Sequence, residues 1–526
     1  MSLSHSLPIL GGAMLLVAAT DGALAHDADP AAWLVPVASA SPAIPGLLLA
    51  AQSGRSLPGS RDALFGDDEE LPDAGDSGGR ESPAAEEEPG QPEVRVPASR
   101  DALFGDGDET AASVATAGSS AARFAGVRGF FQNVMAYTWP EPRHWSEMMN
   151  RVDLAAQGEL APNVRWKLGA RVDYDATYTF TNFYPQAVAD DQRFNVLLRE
   201  NYLDIGAGDW DFRLGRQQIV WGEMVGLLFG DVVSAKDMRQ FILPRFEILR
   251  IPQWAARAEY FKDDVHAELV WIPVASYDNI GKPGSEFYAY TPPPPPGVNA
   301  VILSEKFPAR TLSNTNYGLR LSVLRDGWDV AGFAYSSMSV APSFYREIIV
   351  APQPTIIYQA RHDRINQFGS TVAKDFGSVV LKGEAVYTRG RRYEVTNPTD
   401  SDGVVAQNAF TWVVGLDFNP TADTRINTQV FQNHIFDRDP YIIPSANEYG
   451  FSLLVNQKIG DKVEVQALWI ASLNRTDWML RPRVSWNFEK NWGFAFGVDI
   501  FEGQPLGYFG RYDAKDRVYT ELQYNF

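Results

Sequence analysis

The chain has 526 residues, a formal net charge of −19 and no cysteine. The absence of cysteine excludes disulfide frameworks, thiolate metal sites and cysteine nucleophiles, and the acidic balance argues against nucleic acid as a partner. No apolar run reaches the roughly 20 residues that a transmembrane helix needs, which excludes a helical membrane protein but not a transmembrane β-barrel.

The N-terminal segment predicts a signal peptide. Residues 7–19 form a short apolar run, and Ala23-Leu24-Ala25 offers a small-x-small cleavage site before His26, which makes residues 1–25 the signal peptide. A second apolar run also ends in small residues, so cleavage near residue 51 is an alternative. No lysine or arginine precedes Arg55, so the positive segment usual at the start of a signal peptide is missing. A buried helix of a soluble domain is the competing interpretation.

Residues 26–124 predict a disordered acidic tail. From Ser60 to Thr110 there are sixteen acidic and four basic residues, and such a chain buries too little apolar surface to offset its ordering entropy.

The octapeptide Ser60–Asp67 recurs as Ser99–Asp106. Each copy carries a Leu-Phe pair that suits docking to a partner through a buried aromatic anchor; a duplicated spacer is the alternative. The predicted docking residues are Leu64, Phe65, Leu103 and Phe104.

From residue 125 to residue 526, apolar and polar residues alternate repeatedly. The clearest run extends from Val164 to Tyr178, which is about 50 Å at strand rise. Residues 478–488 and the segment from Phe410 repeat the pattern. Strands of a soluble sandwich are usually shorter, so this alternation favours an all-β transmembrane antiparallel barrel over a sandwich or a propeller.

The connections between these strands alternate between short and long. Short turns are predicted near residues 159–163, 207–209, 262–264, 325–327, 375–377, 419–423, 460–461 and 489–491, with mostly longer connections between them. Outer-membrane barrels have short periplasmic turns and long external loops. We therefore predict about 18 strands (16 is the alternative) in a bacterial outer membrane, with both ends of the barrel and the acidic tail in the periplasm.

The C-terminus predicts a signal for barrel assembly. Leu522, Tyr524 and Phe526 lie on one face of an alternating strand that ends at the last residue. This pattern resembles the C-terminal signal of bacterial outer-membrane proteins, which implies membrane lipid and the barrel-assembly machinery as partners.

No catalytic or metal-binding motif stands out. The six histidines are scattered, and no paired-histidine metal motif, nucleophile elbow or phosphate-binding loop occurs. We therefore expect no enzyme, no cofactor and no metal, although catalytic pairs formed across strands are an alternative.

The long connection at residues 222–251 is the most distinctive one. It combines apolar runs with alternating charges, so we expect it to fold into the lumen as a constriction; an external cap is the alternative. The candidate residues of this constriction are Arg216, Gln217, Trp221, Glu223, Asp231, Asp237, Arg239, Arg245, Glu247 and Arg250.

This region also carries a resemblance to a known family. Residues 215–223, Asp231-Val232-Val233, residues 239–243 and Arg250-Ile251-Pro252 resemble the DUF1302 family of Gram-negative outer-membrane barrels, whose function is largely unassigned. The resemblance implies a fold and a location, and a periplasmic or inner-membrane transport partner. It supplies no solute.

Alternation also predicts which charged residues line the lumen. Opposed basic and acidic walls select solutes by charge and orientation, whereas the alternative is that these charges only solvate the lumen. The predicted basic wall residues are Arg165, Lys167, Arg171, Arg320, Arg425, Arg481 and Arg483.

Together these features predict a porin-like channel, or the outer-membrane component of a transport system, for a small amphipathic or hydrophobic solute. The alternative is a plugged structural or adhesion barrel whose external loops bind a surface ligand.

Overall fold

A computed structural model describes residues 123–222, 224, 230–288, 297–350, 352–397 and 399–526. The signal peptide, its cleavage site and the acidic tail with Leu64, Phe65, Leu103 and Phe104 lie outside these residues. Within the described residues, β-strands dominate and helices are short. No helix in this part of the chain is long and apolar enough to cross a membrane.

Eighteen strands form one closed antiparallel barrel, in which each strand pairs with the next along the chain and the last pairs with the first. The strand count predicted from the turns is confirmed. The barrel strands are β1 (Arg123–Thr138), β2 (His144–Ala161), β3 (Val164–Asp175), β4 (Phe194–Ala207), β5 (Trp210–Gln217), β8 (Gln253–Lys262), β9 (Val265–Val274), β11 (Asn316–Arg325), β12 (Trp328–Met338), β15 (Arg364–Asp375), β16 (Val379–Glu394), β17 (Val404–Thr421), β18 (Thr424–Ile435), β19 (Asn447–Ile459), β20 (Val463–Ser472), β21 (Asp477–Glu489), β22 (Trp492–Gly503) and β23 (Arg517–Asn525).

Short turns lie at one end of the barrel and most of the long connections at the other. Asp326 and Gly327, the two residues between β11 and β12, have φ of 51° and 73°, as a tight two-residue hairpin requires. The start of β1 and Phe526 lie at this same end, because β1 pairs with both β2 and β23. The other end carries the long connections, which we call the loop end.

The connections contain short elements of their own. Strands β6 (Ala235–Lys236) and β7 (Arg250–Ile251) form a small hairpin, and β10 (Asn299–Lys306), β14 (Thr355–Arg361) and β13 (Ser343–Ile349) form a three-stranded sheet. Three short α-helices occupy Thr177–Phe180, Gln186–Gln192 and Phe246–Leu249. All of these elements lie in the long connections.

The barrel wall has an apolar outer face and a polar inner face. In β3, Leu168 and Val172 are exposed, whereas Arg171 and Asp173 are buried in the interior. The strand predicted from Val164 to Tyr178 is too long, because β3 ends at Asp175. The Asp175 carboxylate accepts backbone hydrogen bonds from Met148 and Thr177, and the chain turns there into a helix that buries Tyr178.

Exposed large apolar side chains recur on the outer face of nearly every barrel strand. Hydrocarbon is the environment in which such a surface is stable, provided that the sheet is closed and every backbone polar group is paired. The chain is therefore a transmembrane β-barrel, as the sequence predicted.

Barrel closure supplies a first prediction. Phe526 exchanges two backbone hydrogen bonds with Gly129, at 2.9 and 3.0 Å, and each such bond contributes about 1 kcal/mol. Deleting Phe526 should lower the fraction of heat-modifiable, folded barrel in isolated membranes, whereas Phe526→Tyr should keep wild-type levels. Equal folded fractions for the deletion and the wild type would contradict a role for this residue in closure.

Candidate luminal site

The connection between β5 and β8 folds into the barrel interior. We call its residues 230–252 the luminal segment. Lys236 and Arg250 lie opposite each other in the β6–β7 hairpin, and the chain between them forms a compact inward excursion that contains the helix Phe246–Leu249. The excursion packs against inward-facing side chains of the barrel wall.

One side of the luminal segment is apolar. Met238, Phe241, Ile242, Leu243 and Phe246 are all buried. They pack on an apolar patch of the inner wall that spans six consecutive strands, β17 to β22, and consists of Val413, Phe431, Leu454, Leu468, Ile470, Met479 and Phe501. Because apolar contact area is removed from water on both partners, this interface stabilises the inward position of the segment.

Phe241 is the centre of an aromatic cluster at this interface. Its ring centroid lies 4.8 Å from that of Tyr512 and 5.3 Å from that of Tyr508, with Phe287 and Phe501 within 6.3 Å. Its backbone has φ of 51°, a left-handed conformation that is unfavourable for a bulky residue. The surrounding rings hold Phe241 in that conformation.

Arginines of the wall also hold the luminal segment. Arg171 and Arg199 lie on β3 and β4, and Arg481 lies on β21 next to the apolar patch. Arg171 donates to the Ile248 carbonyl at 2.9 Å and Arg481 to the Leu243 carbonyl at 3.0 Å. Arg199 donates to the Arg250 carbonyl, also at 2.9 Å. We call these three side chains the arginine cradle. A guanidinium group suits this role because it presents several donors in a fixed plane.

Acidic side chains of the wall compensate the charges of the cradle. Asp499 lies 2.7 Å from Arg481 and 2.9 Å from Arg517, and Asp173 lies 3.2 Å from Arg171. Buried charges require such partners, because an unpaired charge in a dry interior costs several kcal/mol. The cradle therefore belongs to a paired network rather than to a free basic surface.

A second group of apolar contacts fixes the start of the connection. Trp221 is fully buried, and its ring centroid lies 5.3 Å from that of Phe333 and 5.6 Å from that of Tyr335 on β12. A Cβ atom at Gly318 of β11 would meet the Trp221 ring at 2.6 Å. Only glycine at position 318 leaves room for the tryptophan against the wall.

Glu384 on β16 anchors the same connection through its backbone. One carboxylate oxygen accepts from the Met224 amide at 2.9 Å and the other from the Gly230 amide at 2.7 Å. A carboxylate that accepts two backbone amides forms two strong, charge-assisted hydrogen bonds. Residues 224 and 230 are therefore held close to each other and to the wall.

Most of the predicted constriction residues lie in this assembly. Gln217 and Trp221 are buried at the start of the connection. Asp231 pairs with Arg250 at 3.1 Å, Asp237 with Arg239 at 2.7 Å, and Arg245 with Glu521 of β23 at 3.5 Å.

Three predicted constriction residues behave differently. Arg216 lies opposite Trp254, whose side chain is exposed on the outer face. Arg216 therefore shares the outer face with Leu214 and does not enter the lumen, because strand alternation continues to the end of β5. The side chain of Glu247 is exposed and only its backbone carbonyl contacts the cradle. Glu223 lies outside the described residues.

The predicted wall residues face inward, but most of them are paired. Lys167 pairs with Glu200 at 2.8 Å and Arg483 with Glu521 at 3.0 Å. Arg425 pairs with Asp417. Arg320 is almost completely buried, and Arg165 is exposed near the short-turn end.

The two remaining wall residues, Arg171 and Arg481, bind backbone carbonyls of the luminal segment. The segment therefore occupies the position in which a solute was expected to contact these arginines.

Sequence reasoning missed the network that joins the long connections. Glu286 accepts hydrogen bonds from Thr138 at 3.1 Å and from Tyr184 at 2.8 Å, and it lies 2.9 Å from His144 and 3.3 Å from Lys515. Burial raises the pKa of Glu286, but the hydrogen bond with His144 and the charge of Lys515 outweigh it and lower the pKa to about 2. No local pattern marks Glu286, because its partners come from distant parts of the chain.

No group of three or more histidine, aspartate or glutamate residues within the described ranges is arranged to hold a metal ion.

The arginine cradle supplies a second prediction. Arg481→Met removes the donor to Leu243 and leaves Asp499 with one partner fewer, which should cost about 3 to 5 kcal/mol. Because the chain has no cysteine, a single Ile242→Cys reports on the luminal segment. In the Arg481→Met background this cysteine should react with a water-soluble maleimide faster.

Arg425→Met is the matched control, because Arg425 also pairs with an aspartate on the neighbouring strand without a hydrogen bond to the luminal segment. Equal labelling rates in the two backgrounds would show that the cradle does not hold the segment.

Asp516, in the connection between β22 and β23, supplies a third prediction. Burial and the nearby charges of Asp513 and Glu502 raise its pKa to about 6, although the backbone hydrogen bond from Phe501 opposes the shift. Since the folded protein binds this proton more tightly than the unfolded chain, stability should rise as pH falls from about 7 to about 4. Asp516→Asn should stabilise the barrel at pH 7.5 and flatten that rise, measured as the melting temperature against pH; an unchanged profile would contradict the assignment.

Comparison with known proteins identifies a family relationship. Residues 150–480 match the model of the family described as "Protein of unknown function (DUF1302)". The match spans most of the barrel, from within β2 to within β21. The comparison with curated proteins gives no match.

Several solved structures resemble the barrel at low sequence identity. Acinetobacter baumannii OccAB1 aligns with a TM-score of 0.48 and 8% identity, over 76% of this chain and 95% of that one. Acinetobacter baumannii OccAB2 gives 0.46 and 10%, over 76% and 97%. Pseudomonas aeruginosa OccK8 (OprE) gives 0.45 and 9%, over 76% and 97%.

Proposed function

The chain belongs to the DUF1302 family, and we propose that it is an outer-membrane channel for a small amphipathic or hydrophobic solute. The observation that carries this proposal is the two-sided inner wall, with the apolar patch and the adjacent Arg481 on one side and Arg171 and Arg199 on the other. The luminal segment lies between them and forms the constriction.

The two sides of the wall match two parts of an amphipathic solute. The apolar patch runs across six neighbouring strands, so an apolar body lies against it at little cost. Arg171, Arg199 and Arg481 bind carbonyl oxygens of the luminal segment, and the same donors suit the oxygen atoms of a solute. A solute that displaces the segment therefore replaces its contacts with contacts of the same kinds.

Residues 237–249 of the luminal segment, which we call the insert, are connected to the rest of the chain through a single hairpin pair, Lys236 and Arg250. Displacement of the insert therefore requires no break in the hydrogen bonds between barrel strands. The contacts that resist displacement are side-chain packing, arginine–carbonyl hydrogen bonds, the Arg245–Glu521 ion pair and a backbone hydrogen bond from Met238 to Asn279. Each such hydrogen bond contributes on the order of 1 to 3 kcal/mol. A ligand that binds better when the insert is displaced offsets free energies of this size and shifts the equilibrium towards the displaced state.

A plugged adhesion barrel is the second candidate, and the loop end contains an observation that favours it. Strand β10 is the edge of the three-stranded sheet β10–β14–β13 and exposes Val301 and Leu303. Leu312, shortly after β10, is 82% exposed. An apolar edge outside the barrel wall is the type of surface that binds another protein. In this alternative the luminal segment is a permanent plug.

Excision of the insert separates these two functions. Residues 237–249 are replaced by Asn-Gly, which joins Lys236 to Arg250 as a two-residue hairpin. In planar bilayers the excised variant should show a single-channel conductance severalfold above that of the wild type, and added amphipathic solutes should block the current.

A second excision, of residues 396–402, is the matched control. The Val395 amide donates to the Gly403 carbonyl at 2.9 Å, so the same Asn-Gly link closes that gap at the loop end, and wild-type conductance should remain. A wild type that never conducts, together with an excised variant that conducts without any block by amphipathic solutes, would instead support the plugged adhesion barrel.

A further inference from the structure

The outer face of the barrel contains a groove of about 680 Å³. It consists of two furrows where a short run of small outward residues lies between neighbouring strands with large ones; on β8 this run ends at Trp254 towards the loop end and at Tyr260 towards the short-turn end. Ala256 and Ala258 form the floor of the first furrow on β8, and Ala334 and Ser336 form the floor of the second on β12.

In the strand register, the floor alanines lie directly opposite large residues on the two neighbouring strands, and these large residues form the sides of the furrow. Ala256 lies between Leu214 and Trp271, and Ala258 lies between Phe212 and Leu269. Ala334 lies between Leu319 and Phe368 in the same way. The two floors are three strand spacings apart, which is about 14 Å, and the large residues of β9 and β11 form the ridge between them.

The groove changes in polarity along the membrane normal. At its upper level, nearer the loop end, the register aligns Tyr317, Ser336 and Asn366, whereas one level below it aligns Leu319, Ala334 and Phe368. A lipid has the same order, with polar ester groups at the interface and hydrocarbon below, and aromatic side chains with a polar tip favour that interface.

The position of the groove determines the chemistry of its occupant. Leu269 and Trp271 are 54% and 46% exposed on a face that hydrocarbon surrounds. An empty furrow would forfeit dispersion contacts along its whole length, and a flexible alkyl chain fills an irregular furrow without burying a polar group.

We propose that the two furrows are specific seats for acyl chains of an outer-leaflet membrane lipid, which enter with their ester ends at Tyr317, Ser336 and Asn366. This lipid is distinct from the fluid lipid around the rest of the barrel, because the furrows bind it along defined floors and sides. The proposal does not depend on what passes through the lumen.

The test fills the furrows without changing charge. Ala256→Leu with Ala334→Leu places leucine on both floors, and Ala385→Leu with Ala467→Leu is the matched control, since both alanines face outward elsewhere on the barrel. Both variants are purified from native membranes, washed with detergent and measured by native mass spectrometry for bound lipid. Heat-modifiable migration shows that each barrel has folded.

The expected result is about a tenfold drop in retained lipid for the furrow variant and no drop for the control. A tenfold drop is the change expected when roughly two methylene groups of the lipid lose their contacts with the groove. Equal lipid retention in both variants and the wild type would overturn the proposal. So would a furrow variant that keeps its lipid but loses a protein partner or an oligomer, because the groove would then be a protein interface.

Discussion

In hydrocarbon no water is available to the backbone, so every amide and carbonyl of the wall must find a partner within the sheet. The barrel meets this constraint by pairing its last strand with its first, over Phe130–Thr138 and Arg517–Asn525. Closure then divides the side chains into two populations. Because residues alternate along each strand, an apolar outer face forces the polar and charged residues inward, and the composition of the lumen follows from the lipid outside.

The lumen is not simply a water-filled space lined with charge. Arg171, Arg481 and Asp499 are almost completely buried. Arg481 pairs with Asp499, and Arg171 and Arg481 donate hydrogen bonds to backbone carbonyls of the luminal segment. The segment supplies carbonyl oxygens to the arginine cradle and large apolar side chains to the apolar patch. It therefore satisfies both sides of a wall that, without it, would leave buried donors and an exposed apolar patch.

The two proposals concern opposite faces of the same wall. Inside, the proposed amphipathic solute would compete with the luminal segment for the apolar patch and the arginine cradle. Outside, small residues on β8 and β12 form the floors of the furrows that we propose for alkyl chains. The loop end is held together by Glu286 and its partners from four parts of the chain. The same connections contact the luminal segment, because Phe287, Tyr508 and Tyr512 pack against Phe241.

The sequence by itself determined the architecture, because a period of two and the spacing of turn residues are local properties. The strand count and the two faces of each strand followed from them, whereas the inward path expected for the connection between β5 and β8 rested on its mixture of apolar runs and charges. It did not determine where β3 ends, since Tyr178 continues the alternation but is buried by the turn at Asp175. Only the tertiary structure decided that Arg171 and Arg481 bind the luminal segment, that Arg216 faces outward, and that Phe241 and Glu286 are the centres of their clusters. Those contacts join residues that are far apart in the chain, and they depend on the stagger of the strands and the path of each connection, which no local pattern encodes.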